Sequence, residues 1–405
     1  MSKKNYSLYG LPEKVIFCKK CVVSNQRPNS TIEFKSTIND KKKGINLDEN
    51  GICDACNYNE IKKKIDWKKR EKLLFKILDR FRKDNGEYDC IVPSSGGKDS
   101  SFAAHILKNK YNMNPLAITW APNMWTEIGF QNFNNLSRIG GIDSILYTPN
   151  GKLHRYLTKL AFLNLGHPFQ PFIHGQKIVG PLFASKFNIP LVIYGENSAE
   201  YGNEIDENNF YEMSDNFYCI DDNEKIGNIK ISGTSISEII KKSDFKIEDF
   251  SSYFPLKKSL VKDKNIQMLY LGYFEKWDPQ ESFYYSSENT GFRPAQERSE
   301  CTYSKYTELD DMIIPFHWYT TFIKFGIGRT THEASHEIRN DKINREEGVN
   351  LVSKFDNEFP DKNFKSFLEY IQITEETFFK KIDELRSAHL WEFKNGKWSL
   401  KHKCF

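Results

Sequence analysis

Eight residues constrain this chain most: Ser94, Ser95, Gly96, Gly97, Lys98, Asp99, Ser100 and Ser101, set between an apolar run and an amphipathic one. The YDCIVP run at 88–93 reads as a buried strand, and Ser100 to Lys108 reads as the helix that follows. Two adjacent glycines at such a corner let backbone N–H groups close on an anion. The helix start adds the positive end of its dipole. Ser94, Ser95 and Ser100 offer hydroxyls, Lys98 a full positive charge, and Asp99 a carboxylate that can hold the Mg²⁺ accompanying a nucleotide. The spacing is not that of a Walker loop, which needs four residues between its first glycine and Gly-Lys. The bland alternative is a Gly-Gly turn with a chance lysine. The strand before and the helix after argue against it.

The surrounding texture fits a layered α/β domain. Further apolar runs at 115–119, 141–147 and 190–194 read as strands, with a helix from about Gly175 to Phe187 before the last. Strands alternating with helices predict a parallel sheet flanked by helices, with ligand at the carboxyl ends of the strands. Thr119 and Trp120 end one such strand and Gly195 follows another. A helical stretch is expected from about Asn57 to Lys83. Leu73, Leu74, Ile77, Leu78 and Phe81 would face a core, and Lys62, Lys63, Lys64, Lys68, Lys69 and Arg70 would form a solvated face. Residues 203–224, acidic and Asn-rich, read as a surface insertion, and 268–271 as a further strand. From Trp277 the chain reads as loops and helices, closing in a hairpin at 391–400 that turns on Asn395 and Gly396. The expected division is 1–60, a zinc-ribbon-like segment; 61–275, the α/β domain; and 276–405, a mostly helical region for substrate or partner.

Cys18 and Cys21, with Cys53 and Cys56, form two C-x-x-C pairs. Four thiolates at this spacing close a tetrahedral Zn²⁺ site, although the segment between the pairs exceeds the usual ribbon spacing of about 15–20 residues. An iron–sulfur cluster and redox-active dithiols are the alternatives. Cys90, Cys219, Cys301 and Cys404 are scattered, so the cysteines do not form a disulfide framework. With 58 basic and 54 acidic residues the net charge is +4, which argues against a polyanion partner such as nucleic acid. No stretch reaches the about 20 apolar residues of a membrane span, and Lys3, Lys4, Glu13 and Lys14 interrupt any apolar leader. A cytoplasmic protein is expected.

The loop resembles that of the ATP-pyrophosphatase (PP-loop) superfamily, whose adenine-nucleotide alpha-hydrolase-like fold serves to cleave ATP between the α and β phosphates and adenylate a substrate. That resemblance implies that the strand end at Thr119 and Trp120 and the loop at Gly195 face the nucleotide, although each could be a plain strand end. Thiolases of that superfamily carry a cysteine in the region matching 166–177, and none is present here. The order of the cysteine pairs, VPSSGGKDSS at 92–101, YGENSAEYG at 194–202 and KFGIGRT at 324–330 resembles the N-acetyl sugar amidotransferases of bacterial surface-glycan synthesis. These act in pseudaminic or legionaminic acid pathways for flagellin glycans, or on lipopolysaccharide sugars. That resemblance implies ATP, Mg²⁺ and an N-acetyl sugar as ligands, conversion of an acetamido to an acetamidino group, and separate glutaminase and cyclase-like subunits supplying ammonia. It implies catalytic roles for Lys98, Asp99, Glu196 and Arg329, and substrate contacts from Asn197, His174 and Lys324. Arg329 and Lys324 could instead be a surface pair on a Gly-rich turn, and His167 and His174 structural hydrogen-bonders. The rival readings are a tRNA-modifying adenylating enzyme, either a thiolase or a lysidine-type ligase, and a non-catalytic nucleotide-binding module.

Overall fold

Five apolar runs line up as one sheet in the computed structural model, which describes residues 6–202 and 210–404. The strands are β1 (Cys90–Pro93), β2 (Pro115–Trp120), β3 (Asp143–Tyr147), β4 (Leu191–Tyr194) and β5 (Gln267–Tyr270), in the order β3-β2-β1-β4-β5. All neighbours are parallel; Cys90 sits opposite Pro115 on one side and Leu191 on the other. Inner strand β2 is buried along its whole length, whereas β3 at the edge is nowhere fully buried. A parallel sheet needs cover on both faces, which is why its inner strands read as unbroken apolar runs.

Helices supply that cover. In chain order they are α1 (Asp54–Lys62), α2 (Trp67–Leu78), α3 (Lys98–Asn109), α4 (Glu127–Arg138), α5 (Gly151–Leu165), α6 (Gln170–Phe187), α7 (Ile236–Lys241) and α8 (Lys258–Asp263). There follow α9 (Pro279–Asn289), α10 (Ile314–Phe325), α11 (Arg329–Arg339), α12 (Arg345–Phe355), α13 (Phe364–Ile371) and α14 (Glu375–Glu384). Leu74, Leu78, Ala103 and Leu107 pack on the face carrying Cys90 and Val92. The opposite face, with Ile91 and Ile118, joins a larger core that takes in Phe162 of α5 and Phe316, Phe367 and Phe378 of the C-terminal helices. There Phe162 stacks on Phe378 at 5.2 Å and Phe316 on Phe367 at 4.1 Å. The closing hairpin, β6 (Trp391–Lys394) with β7 (Lys397–Leu400), turns through Asn395 and Gly396, both at positive φ, as a two-residue hairpin loop requires.

Three expectations need correction. The single helix expected over 57–83 is two helices, because Asp66 accepts the Lys69 N–H at 3.0 Å and caps the second. On it Leu74, Ile77 and Leu78 are buried while Leu73 is exposed. The basic face is not wholly solvated: Lys62 is buried, and Arg70 lies 3.8 Å from the Tyr273 ring centroid. Of the expected surface insertion, 203–209 lie outside the described residues. The remainder is only partly superficial: Phe210, Ser214 to Asn216 and Asp221 to Glu224 are exposed, while Met213, Tyr218, Cys219 and Ile220 are buried and Cys219–Ile220 pairs with Leu256–Lys257. Among the described residues no helix is long and apolar enough to cross a membrane.

Candidate active site

The phosphate loop leaves the carboxyl end of β1 and enters α3, whose N-cap is Gly97 and whose first residue is Lys98. Its shape is held from within. Gly96 N–H donates to Ser94 Oγ at 3.2 Å, Ser94 Oγ–H to Ser100 Oγ at 2.9 Å, and Ser100 Oγ–H to Gly97 O at 3.1 Å. From outside, Thr119 Oγ1–H donates to Ser94 O, and Ser286 Oγ–H of α9 donates to Lys98 O at 2.7 Å. Lys98 pairs with Asp99, whose Oδ1 also accepts the Trp277 indole N–H at 2.9 Å.

Two clefts meet at this loop. One, of about 470 Å³, opens over the carboxyl ends of β1, β2, β4 and β5 and is lined by Ser94, Ser95, Ser100, Trp120, Lys177, Tyr194 and Gly195. The other, of about 210 Å³, lies between the loop and the C-terminal helices, with walls from Trp277, Tyr306, Glu308, Asp310, Arg329, Glu333 and His336. Ser95, Gly97, Asp99, Glu196 and Tyr201 face both. Anything held on the loop from the sheet cleft is therefore within reach of a group in the helical cleft.

Electrostatics differ between the clefts. Burial, then the neighbouring Asp99, pushes the Glu196 carboxyl above the usual range, and Tyr201 O–H donates to it. Asp99 and Glu196 are half-buried carboxylates lining the same two clefts, a donor type that a divalent cation takes, and Asp99 is the one directly on the phosphate loop. In the helical cleft Arg329 pairs with Glu308 at 2.7 Å and Glu333 at 2.9 Å and lies over the Trp318 ring. Burial opposes its charge, but Glu308 and Glu333 outweigh burial and hold the guanidinium firmly protonated. Thr302 and Thr307 hydroxyls also donate to Glu333, so this carboxylate is fixed from three sides. Glu308 sits at φ +56, a left-handed conformation that a non-glycine residue adopts at some cost.

The four paired cysteines come together, all buried, with their sulfurs within 4.8 Å of one another. Cys18 Sγ is 3.9 Å from Cys56 Sγ, and Cys21 Sγ is 3.7 Å from Cys53 Sγ. A tetrahedral zinc with bonds of about 2.3 Å sets its sulfurs about 3.8 Å apart, so the donor set and spacing fit zinc. Backbone N–H groups of Lys20, Cys21 and Cys53 point at Cys18 Sγ at 3.4, 3.5 and 3.3 Å, which favours the thiolate. Four thiolates so close repel one another unless a cation lies among them. Zinc bound there would supply cross-linking rather than catalysis, since four cysteines leave no open position.

Of the residues expected at the site, Lys98, Asp99, Glu196 and Arg329 are brought together, along with Ser95, Gly96, Gly97 and Gly195. Trp120 lines the sheet cleft, while Thr119 supports the loop from below. Three others turn elsewhere. His174 contacts Tyr253 O through Nε2 at 2.7 Å, and burial lowers its pKa to about 4. Lys324 donates to Leu165 O at 3.1 Å. Asn197 is wholly buried, capping the 198–201 turn and donating to Tyr58 Oη at 3.3 Å. Tyr201, Trp277, Tyr306, Glu308, Asp310 and Glu333 were not singled out from sequence; only Tyr201, inside the YGENSAEYG run, lay next to a recognised motif.

Residues 300–404 match the family model described as LPS biosynthesis protein WbpG-like, C-terminal domain. That C-terminal quarter, which carries about half of the helical cleft's lining, is similar to a lipopolysaccharide biosynthesis domain. An uncharacterized protein of Methanocaldococcus jannaschii, MJ1599, is 31% identical over 105 residues, or 26% of this chain and 38% of that protein. Among solved structures, a chain described as a predicted subunit of tRNA methyltransferase from Methanocaldococcus jannaschii overlaps 54% of this chain and 82% of its own length. It does so with a TM-score of 0.26 at 17% identity, too distant to bear on function.

Proposed function

We propose that this chain is an ATP-dependent amidotransferase that adenylates the acetamido oxygen of an N-acetyl sugar and lets ammonia displace AMP, leaving an acetamidino sugar. The observation that carries the reading is the sharing of one phosphate loop by two clefts of different chemistry. The sheet cleft suits a nucleotide: loop N–H groups and a helix start favour its phosphates, and Lys98 brings a positive charge to the helical-cleft side of the same loop. The helical cleft suits a carbohydrate. Carboxylates such as Glu308, Asp310 and Glu333 accept from vicinal hydroxyls, and Tyr306 and Trp277 offer apolar faces to a sugar ring. The lipopolysaccharide-type domain forming that wall supports a glycan substrate.

In this reading the acetamido oxygen attacks the α-phosphorus of ATP and pyrophosphate leaves. Ammonia then adds to the imidate carbon, a proton is lost, and AMP departs. Lys98 and the loop N–H groups stabilise charge on the leaving pyrophosphate. Asp99 would hold the Mg²⁺ that accompanies ATP, and that ion would supply neutralisation of phosphate charge. Glu196, between the clefts, accepts a proton from the incoming amine. Arg329 orients the substrate, while Asn197 caps the turn that carries Tyr201. Orientation across the shared loop supplies much of the rate. Ammonia comes from solution or from a glutaminase partner.

The test is exchange of labelled pyrophosphate into ATP without ammonium, across a panel of N-acetyl sugars. Exchange that depends on one sugar supports the reading. Exchange that depends on tRNA instead would favour the tRNA-modifying alternative, and exchange with neither substrate would remove adenylation altogether.

A further inference from the structure

None of the four cysteines lines either cleft, yet the helix that starts among them ends against the clefts' walls. Cys53 is the N-cap of α1, Cys56 lies in its first turn, and its last residue is Lys62. The Lys62 ammonium is 2.5 Å from the Glu200 carboxylate and donates to the Trp277 carbonyl at 2.7 Å. Both side chains of the ion pair are at least 95% buried. Glu200 belongs to the short turn after β4 that carries Tyr201 into both clefts. Trp277 is the residue whose indole N–H holds Asp99 of the phosphate loop. Midway along α1, Tyr58 accepts from Asn197 Nδ2, and Asn59 Nδ2 donates at 2.7 Å to the carbonyl of Arg339, the last residue of α11. Arg329, at the other end of α11, lines the helical cleft.

We propose that the metal-loaded cysteine knuckle is a clamp on the active cleft, with Lys62 the positioning residue that sets Asp99 through Trp277 and Tyr201 through Glu200. A buried ion pair is a weak source of net stability, because desolvation offsets its attraction; its use lies in fixing one geometry over others. Here one ammonium fixes two walls at once. Metal binding anchors the start of a nine-residue helix, so its far end cannot drift. The clamp rests on the reading of the loop as a nucleotide site only for its effect on ATP. Its effect on the Trp277–Asp99 contact stands apart from that reading.

The experiment compares the full chain with Lys62→Met, Lys62→Arg and the neutral pair Lys62→Met/Glu200→Gln. Zinc content and circular dichroism establish that each variant is loaded and folded. The first readout is hydrogen exchange at the Trp277 indole N–H, its resonance assigned with Trp277→Phe. The second is the dissociation constant for MgATP. Both Met variants, with zinc still bound, are expected to exchange at least about tenfold faster and to bind MgATP about tenfold more weakly. Lys62→Arg should recover part of each. Removing zinc from the parent with a chelator should give the same indole signature. A zinc-loaded, folded Lys62→Met with unchanged indole exchange and unchanged MgATP affinity overturns the proposal. Should the chelated protein unfold, the Lys62→Met comparison decides alone. A parent that fails to bind MgATP removes the nucleotide reading, and the indole exchange still decides the clamp.

Discussion

Gly96 lies directly against Phe133: a Cβ at position 96 would come 2.6 Å from the Phe133 Cα, and the φ of Gly96 is +83°. The phosphate loop thus rests on the backbone of α4, with no room for any side chain. Gly96→Ala must either move α4 or flatten the loop. The expected result is a stability loss of about 1–3 kcal/mol and severely weakened nucleotide binding in a protein that still folds. Thermal unfolding and MgATP titration check this. Unchanged MgATP binding would mean the loop's shape is not what holds phosphate.

Lys98 should matter to the reaction more than to the fold. Lys98→Ala is expected to lower the rate of pyrophosphate release by about 100-fold or more, because a fixed charge at the leaving group is lost. Single-turnover measurements at saturating ATP would separate this from weakened binding.

The two clefts should separate kinetically. Arg329→Lys loses the forked contact to Glu308 and Glu333, so the helical cleft loosens while the sheet cleft does not. The expectation is a rise of about tenfold in the KM for the sugar, with the KM for ATP changed less than about threefold. Equal rises in both would contradict the assignment of the clefts.

Acid should destabilise the fold through its buried histidines. Burial lowers His174 to about 4, below its ordinary 6.5, so the folded state refuses a proton that the unfolded chain accepts. Its contribution is fully present above pH 6.5 and is lost as pH falls toward 4, at up to about 1.4 kcal/mol per pH unit. His154, lowered by burial to about 3, acts in the same direction. His174→Gln should reduce the proton uptake on unfolding at pH 5 by about one. Denaturant midpoints at pH 5 and pH 7.5 for both proteins measure it.

Much of the sheet was legible because its inner strands, buried on two faces, are continuous apolar runs. The phosphate loop and the cysteine pairs were legible because their chemistry is local: short spacings carry the whole signal. The helical cleft was not. Tyr306, Glu308 and Glu333 are brought to the loop by packing between distant segments, and nothing around them in the chain announces it. Lys62 reads as one lysine of a basic run, and its buried partners, Glu200 and the Trp277 carbonyl, lie far along the chain. His174 and Lys324 lay near recognised motifs, yet each satisfies a backbone carbonyl outside the clefts. Proximity in sequence to a motif does not fix where a side chain points.

The central claim is most directly tested by mass spectrometry of the sugar after incubation with the protein, ATP, Mg²⁺, ammonium and a panel of N-acetyl sugars. Replacing oxygen by NH lowers the product mass by about 1 Da, a consequence of the amidine chemistry proposed. The account predicts that shift for at least one sugar, with AMP and pyrophosphate formed alongside and all three lost in Lys98→Ala. No shift with any sugar, while tRNA becomes adenylated under the same conditions, would contradict it.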